Sequence, residues 1–403
     1  MITSIASKMR AALWGAALIS FGYLSCFILL PSAGWAQQNP SLGFNPARLA
    51  NGGQRRGRGC GMFLEARASG AENSLVLYPL LLKTGPFNPG RQNSLDAAWK
   101  SDCGLILPRH GLRFAASYRG ELHMRANRDS LDILWLIGQK RDLPTGRVFK
   151  VDLKSRGFSA FGVEVSKGIG FGSLLPGFCA GLTARYLQGE MIQEGKISGQ
   201  LIPTGKKSYR FDLFTDYVYD RNLLYERQET IPGSGAGYSF DLGLGYSSPS
   251  KRLRGEILFR DLGGRIFWKD TPYTTAWATS KTKEYDSQGY QIYRPTIQGY
   301  EGYKNFNQKI PLKTDLLLSC QLGPFTLIPS VSLIEAAEKP ILWLDLNYQI
   351  GKNYTLYTGY NLNYQAFSLG AACGSRLSLA ISMSDIDLSA TRLIGLSLLL
   401  RYP

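Results

Sequence analysis

The stretch GAGYSFDLGLGYSS, residues 235 to 248, puts Tyr238, Phe240, Leu242, Leu244 and Tyr246 on every second position, with Gly237, Ser239, Asp241, Gly243 and Gly245 between them. Successive side chains of a strand point to opposite faces, so this is one strand with a wholly apolar face bounded by tyrosine. Its other face is glycine, hydroxyl and carboxylate. Two environments want such a strand: the half-buried sheet of a soluble sandwich, and a lipid bilayer crossed by a β-barrel.

The pattern recurs along the chain. In GFCAGLTARYLQG, Phe178, Ala180, Leu182, Ala184 and Tyr186 alternate with Cys179, Gly181, Thr183 and Arg185. SYRFDLFTDYVYD sets Tyr209, Phe211, Leu213, Tyr217 and Tyr219 against Arg210, Asp212 and Asp216, and ILWLDLNYQI sets Leu342, Leu344 and Leu346 against Asp345, Asn347 and Gln349. Helical period is nearly absent, and short breaks such as GKN at 351 to 353 read as hairpin turns. Counting such segments predicts an all-β fold, a transmembrane antiparallel barrel of about 14 strands within a range of roughly 12 to 16. Aromatic residues eight positions apart, as in Tyr238 and Tyr246, bound about 20 Å of tilted strand, close to the apolar band of such barrels.

Charge separates the faces. Arg185, Arg210, Asp212, Asp216, Asp241, Arg254, Glu256, Arg260 and Asp345 all lie opposite the apolar positions of their segments. In a barrel they are lumen-facing; in a sandwich they are a solvated exterior. Asp241 in a lumen needs an arginine nearby to stay charged at tolerable cost, with Arg210, Arg254 and Arg260 as candidates.

The N-terminus favours export. Lys8 and Arg10 precede an apolar run from Ala11 to Leu30, and PSAGWA then leads to Gln37, the layout of a secretory signal cut between Ala36 and Gln37. An uncleaved anchor and a lipoprotein cysteine at Cys26 are the alternatives. The expected organisation is a signal peptide (1–36), an N-terminal periplasmic or plug segment (37–60) and an outer-membrane barrel (61–403). Within the barrel, the polar, tyrosine-rich stretch 269–310 is either a long loop or two strands extended above the membrane. Six cysteines are present, with no spacing that suggests a metal site; Cys60 and Cys103 are the pair that could join.

Lysine and arginine exceed acids by 16, or by 14 without Lys8 and Arg10. The basic residues are spread along the chain, with only QRRGR at 54–58 clustered, so a nucleic-acid partner is not expected; lipid phosphates or anions in a pore suit the charge better. Only His110 and His123 are available, and neither has a companion nucleophile motif, so no enzyme and no cofactor are expected.

Several stretches resemble a known group. GFNPARLA is similar to the Asn-Pro-Ala segment near the mature N-terminus of the fatty-acid-transporter (FadL) and TraF-like outer-membrane barrels, carried here by Asn45, Pro46 and Ala47. SLDILWLIGQ followed by GLTARYLQG resembles a short helix and a glycine-closed strand of an uncharacterised branch, with Gln139 in place of the usual asparagine. GYSFDLGLGY with LRGEILFRDLGGRIFWKD resembles its paired strands through Asp241, Asp261, Gly263 and Trp268. At the C-terminus Gly395, Leu398, Leu400 and Tyr402 resemble the insertion strand of outer-membrane barrels, departing from it in ending on Pro403.

The resemblance implies a plug at the N-terminus, location in the outer membrane of a Gram-negative bacterium, contact with its lipid and lipopolysaccharide, and delivery by the barrel-assembly machinery. The function expected is a channel or transporter for a small or hydrophobic ligand. The alternative is a non-transporting barrel acting as receptor, adhesin or assembly scaffold.

Overall fold

The computed structural model describes residues 44–402, apart from 52–59, 73–86, 88, 173, 206–207, 221–233, 286, 289, 294, 338–339, 352, 375 and 387–390. The signal junction at Ala36 and Gln37 and the basic cluster 54–58 lie outside the described residues. The chain begins with a single helical turn, α1 (Arg48–Asn51), and then runs through strands β1 (Gly61–Glu72), β2 (Gln92–Leu107) and β3 (Leu112–Asn127) to the helix α2 (Arg128–Gly138). Next come β4 (Phe149–Gly170), β5 (Phe178–Gly205), β6 (Ser208–Tyr219), β7 (Ser234–Ser247) and β8 (Leu253–Thr279). A small hairpin, β9 (Lys283–Tyr285) and β10 (Gln291–Tyr293), precedes β11 (Ile297–Lys309), β12 (Lys313–Leu322), β13 (Phe325–Ile334) and β14 (Ile341–Ile350). The short strands β15 (Tyr354–Asn361), β16 (Ala366–Cys373), β17 (Leu377–Met383) and β18 (Leu393–Tyr402) end the chain.

Fourteen antiparallel strands close a ring in the order β1, β2, β3, β4, β5, β7, β8, β12, then β13 to β18 in sequence, and β18 returns to β1 with Met62 opposite Tyr402. Closure removes every sheet edge from the ring, the condition for crossing a bilayer with strands. No helix among the described residues is long and apolar enough to cross a membrane. Large apolar side chains such as Leu344, Leu369 and Phe161 lie exposed on the outward face, as the alternation requires.

The ring is uneven. β5 pairs with β7 through 178–189 and then with β6 through 193–205, so β6 prolongs the line of β7 above the ring. β8 likewise pairs with β12 through 253–260 and with β11 through 265–278. The tyrosine-rich stretch 269–310 is therefore mostly paired strand, the upper parts of β8 and β11 with a hairpin between them, because alternating Thr, Tyr and Trp side chains favour a pleated surface over a free loop.

Turns at the end of the ring shared by Gly61 and Tyr402 are short, with Gly323 and Gly351 at φ of 62° and 61° taking the left-handed conformation these reversals need. The opposite end carries α2, the raised strands and the longer connections; barrels of this kind keep short turns in the periplasm and long loops outside. α2 starts where Asn127 accepts a hydrogen bond from the Ser130 amide at 3.0 Å, a cap worth about 1 kcal/mol. Cys60 and Cys103 are both free thiols: the register sets Leu64 against Cys103, four residues beyond Cys60, too far for a disulfide.

Candidate functional site

The inward face of the opening stretch explains its composition position by position. Gly235, with Gly189 on β5, leaves room for the Trp268 indole, against which any Cβ at either glycine would collide. Ser239 and Asp241 both bind Arg185, at 2.8 Å each. Gly243, together with Gly168 and Gly181, clears a groove that a Cβ at any of the three would fill. Segment 44–50 sits in that groove, inside the ring and toward the short-turn end.

Polar contacts hold the segment there. The Asn45 side-chain amide donates to Glu256 at 3.1 Å, and its oxygen accepts from the Ala47 amide at 2.9 Å. Arg48 pairs with the same Glu256 at 2.9 Å, and Arg254 with its other oxygen at 2.7 Å. Phe44 and Phe63 each place a ring 4.5 Å from the Arg113 guanidinium, enclosing it from two sides.

Above this segment the inward residues of β2, β3, β4, β5, β7, β8 and β12 form one ion-pair network. Arg113 bridges Asp102 and Glu164, at 3.0 Å each. Glu164 also takes Arg185 at 2.6 Å and Lys100 at 2.9 Å. Asp261, at φ 63° in an irregular stretch of β8, turns its carboxylate inward and accepts from Arg119 with both oxygens, at 2.6 and 2.9 Å. A local break in strand register commonly re-aims a side chain in this way. Arg119 and Lys313 both reach Glu121, and His123 meets Asp96 at 2.6 Å.

The network crosses the lumen. β3 and β8 are separated by β4, β5 and β7 on one side of the ring and by most of the barrel on the other. Arg119 to Asp261 and Glu121 to Lys313 therefore form a strut spanning the interior. Its residues are almost fully buried, and every charge in it has an opposite partner, which is what makes such burial tolerable.

On the β4–β8 side, the upper lumen is filled by an apolar cluster of Phe158, Ala160, Leu187, Ile192, Val218, Ile266, Trp268 and Ile310. Trp268 donates to Gln308 at 3.1 Å, and Gln308 in turn donates to the Gly157 carbonyl at 3.1 Å. On the other side small inward residues, Ser332, Ser368, Ala380, Ser382, Gly395 and Ser397, stand among larger ones such as Asp345, Asn347 and Tyr357. They leave a cavity of about 280 Å³ against the strut, with Phe44 at its floor and Ile341, Trp343 and Leu393 toward the long-loop end.

The residues singled out in the sequence divide between these regions. Arg185 and Asp241 lie at the heart of the network; the partner of Asp241 is Arg185, not the arginines expected from sequence proximity. Glu256 and Arg254 bind or flank segment 44–50, and Arg260 pairs with Asp315 at 2.7 Å beside the cavity. Asp345 is buried on the inward face of β14. Arg210 and Asp212 stand apart, exposed on β6 above the ring, and Asp216 on the same strand meets Thr275 at 3.3 Å rather than the network. Gly395 lines the cavity, while Leu398, Leu400 and Tyr402 form part of the β1–β18 seam.

His110 is exposed in a short turn, apart from the network. Sequence reading missed Asp102, Arg113, Glu164, Arg119, Glu121 and Lys313. The signal was available in LRFAASYRGELH, where Arg113, Arg119, Glu121 and His123 all fall on the odd positions of one strand.

The fold and lumen together define a closed transmembrane-type barrel with a partly occupied interior. No protein-family model matches the chain, and no curated protein matches it. Solved structures similar to it include a deletion mutant of the monoaromatic hydrocarbon channel TodX, with a TM-score of 0.46, 11% identity, and coverage of 89% of this chain and 92% of that one. The toluene transporter TodX of P. putida gives a TM-score of 0.42 and 9% identity, covering 89% and 90%. The Ralstonia pickettii toluene transporter TbuX gives 0.33 and 9%, covering 89% and 91%.

Proposed function

We propose that this barrel is an outer-membrane channel for small molecules, closed at its periplasmic end by segment 44–50 acting as a removable plug. The observation that carries the reading is a cavity inside a closed ring whose floor is a segment with its backbone packed into a glycine groove and its Asn45 and Arg48 side chains bound to Glu256. Ligand pockets in barrels lie in such lumens, and the apolar residues Ile341, Trp343 and Leu393 suit a ligand with an apolar part.

Residence in the outer membrane, contact with lipopolysaccharide and insertion by the barrel-assembly machinery through Gly395 to Tyr402 belong to the same proposal, as does cleavage after Ala36. The alternative of a non-transporting receptor or scaffold is favoured by the raised strands β6, β8 and β11, which expose Trp277, Tyr300 and Tyr303 at the end with long loops.

Deleting residues 38–58 and recording conductance in planar bilayers separates the two. A large rise in conductance over the full chain is the expected result. An unchanged, closed barrel would overturn the channel reading in favour of the receptor.

A further inference from the structure

The cavity is bounded by almost equal numbers of basic and acidic side chains, so counting charges leaves its sign undecided. Accessibility decides it. Along the cavity, the basic member of each outer pair is the one that meets solvent. The Lys100 side chain is 32% exposed while its partners Asp102 and Glu164 are 3% and 1%. Arg260 is 29% exposed against 4% for Asp315, and Arg67 is 22% against 9% for Glu65. The other acids lining the cavity, Glu121, Asp241 and Asp261, are all below 7%, and Asp96 reaches 15% beside His123.

The cause is geometric. The carboxylates sit on short side chains close to the wall, each within reach of a buried guanidinium or ammonium of the strut. Lysine and arginine have longer stems, so their charged ends stand further into the lumen. A solute in the cavity therefore meets cationic groups at contact distance. The acids lie behind them, already hydrogen-bonded and neutralised by Arg113, Arg119, Arg185 and Lys313. Coulomb energy falls with distance, so the nearer layer sets the local sign. On the facing wall Ser332, Ser368, Ser382 and Ser397 offer hydroxyls and no charge.

We infer that the cavity is electropositive to its contents and admits small anions, inorganic anions or carboxylates, in preference to cations, with Lys100, Arg260 and Arg67 setting that preference. The inference rests on the channel reading for its role in passage, but not for the charge of the cavity itself.

Two measurements on the full chain test it. In planar bilayers under a potassium chloride gradient, the zero-current potential should lie toward the chloride equilibrium value, and Lys100→Gln and Arg67→Gln should each move it toward potassium. The second measurement uses Ser382→Cys, on the cavity wall, in a chain whose other cysteines are alanine. An anionic sulfonatoethyl thiosulfonate should modify it about fivefold faster than the cationic trimethylammonium analogue at low salt, a ratio that a few nearby unit charges produce. Lys100→Gln should lower the ratio.

Equal rates, or faster reaction of the cation, would overturn the inference, as would a thiol that neither reagent reaches. A bilayer that stays silent both with the full chain and with the chain lacking residues 38–58, together with a preserved reagent ratio, would remove the channel reading and leave the anion preference standing. Conductance without chloride preference, together with equal reagent rates, would do the reverse.

Discussion

Two halves of the same barrel solve the problem of an interior in opposite ways. From β2 to β12 the inward positions carry long charged or large apolar side chains that reach across to one another, and the lumen there is full. From β13 to β18 small residues stand among them at Ser332, Ser368, Ala380, Ser382, Gly395 and Ser397 and leave a cavity, bounded toward the long-loop end by a smaller apolar cluster of Trp343, Ala366 and Leu393. The outward faces of the two halves are alike, apolar and alternating, because both meet the same surroundings. The comparison teaches that in this barrel the outward face fixes the architecture while the inward face decides where there is space.

The strongest way to break the contrast is to remove one side of the strut. Arg119→Ala leaves Asp261 and Glu121 short of a buried partner and should destabilise the barrel by about 3 to 5 kcal/mol, whereas Ser368→Ala on the open side should cost little. Urea unfolding from detergent micelles reads both; equal effects would mean that the strut is not a structural member. Next in size is a charge placed on the outward face. Leu242→Arg should cost about 2 to 4 kcal/mol in lipid and Asp345→Asn far less, and refolding into vesicles at several urea concentrations would reveal comparable losses if the faces were misassigned.

A smaller effect is expected from Gly243→Val, whose side chain competes with Asn45 for the groove. The cost should be about 1 to 3 kcal/mol, and the mutant should conduct more than the parent because the segment is displaced. A fully stable mutant of unchanged conductance would show the groove to be incidental. The smallest effect sharpens the boundary between the halves at the mouth, where Lys309 pairs with Glu335 outside the membrane. The hydrogen bond from Lys309, helped by the Leu312 amide, holds the Glu335 carboxyl below its ordinary range. A depressed carboxyl pKa contributes stability above the unfolded value and loses it as pH falls through the folded one. Acidification below the usual carboxylate range should therefore release this clasp, and Glu335→Gln should abolish that small pH dependence of thermal unfolding.

The outward face was legible in the sequence because its signal is local: a two-residue period needs only neighbours. So was the strand count; Arg185, Asp241 and Glu256 are among the charges read from it onto the inner face. The pairing of those charges was not legible, since Arg119 meets Asp261 across 142 residues and Lys313 meets Glu121 across 192. No local pattern carries such distances. The placing of Arg210 and Asp212 above the ring was hidden for a related reason. β6 and β7 read as equivalent strands, and only the register of β5 shows that one stands on top of the other.

The unequal strand lengths have a consequence for the bilayer itself. β5, with 28 residues, rises about 70 Å at ordinary strand pitch and tilt, whereas β16, with 8, rises about 20 Å. The second figure is close to the apolar band of about 25 Å that such barrels present to lipid, so β15, β16 and β17 have almost no strand beyond it, whereas β5 continues far past it. In a bilayer that flank would keep its rim level with the headgroups, and the wall of β4, β5 and β8 would stand clear of the surface as a one-sided parapet.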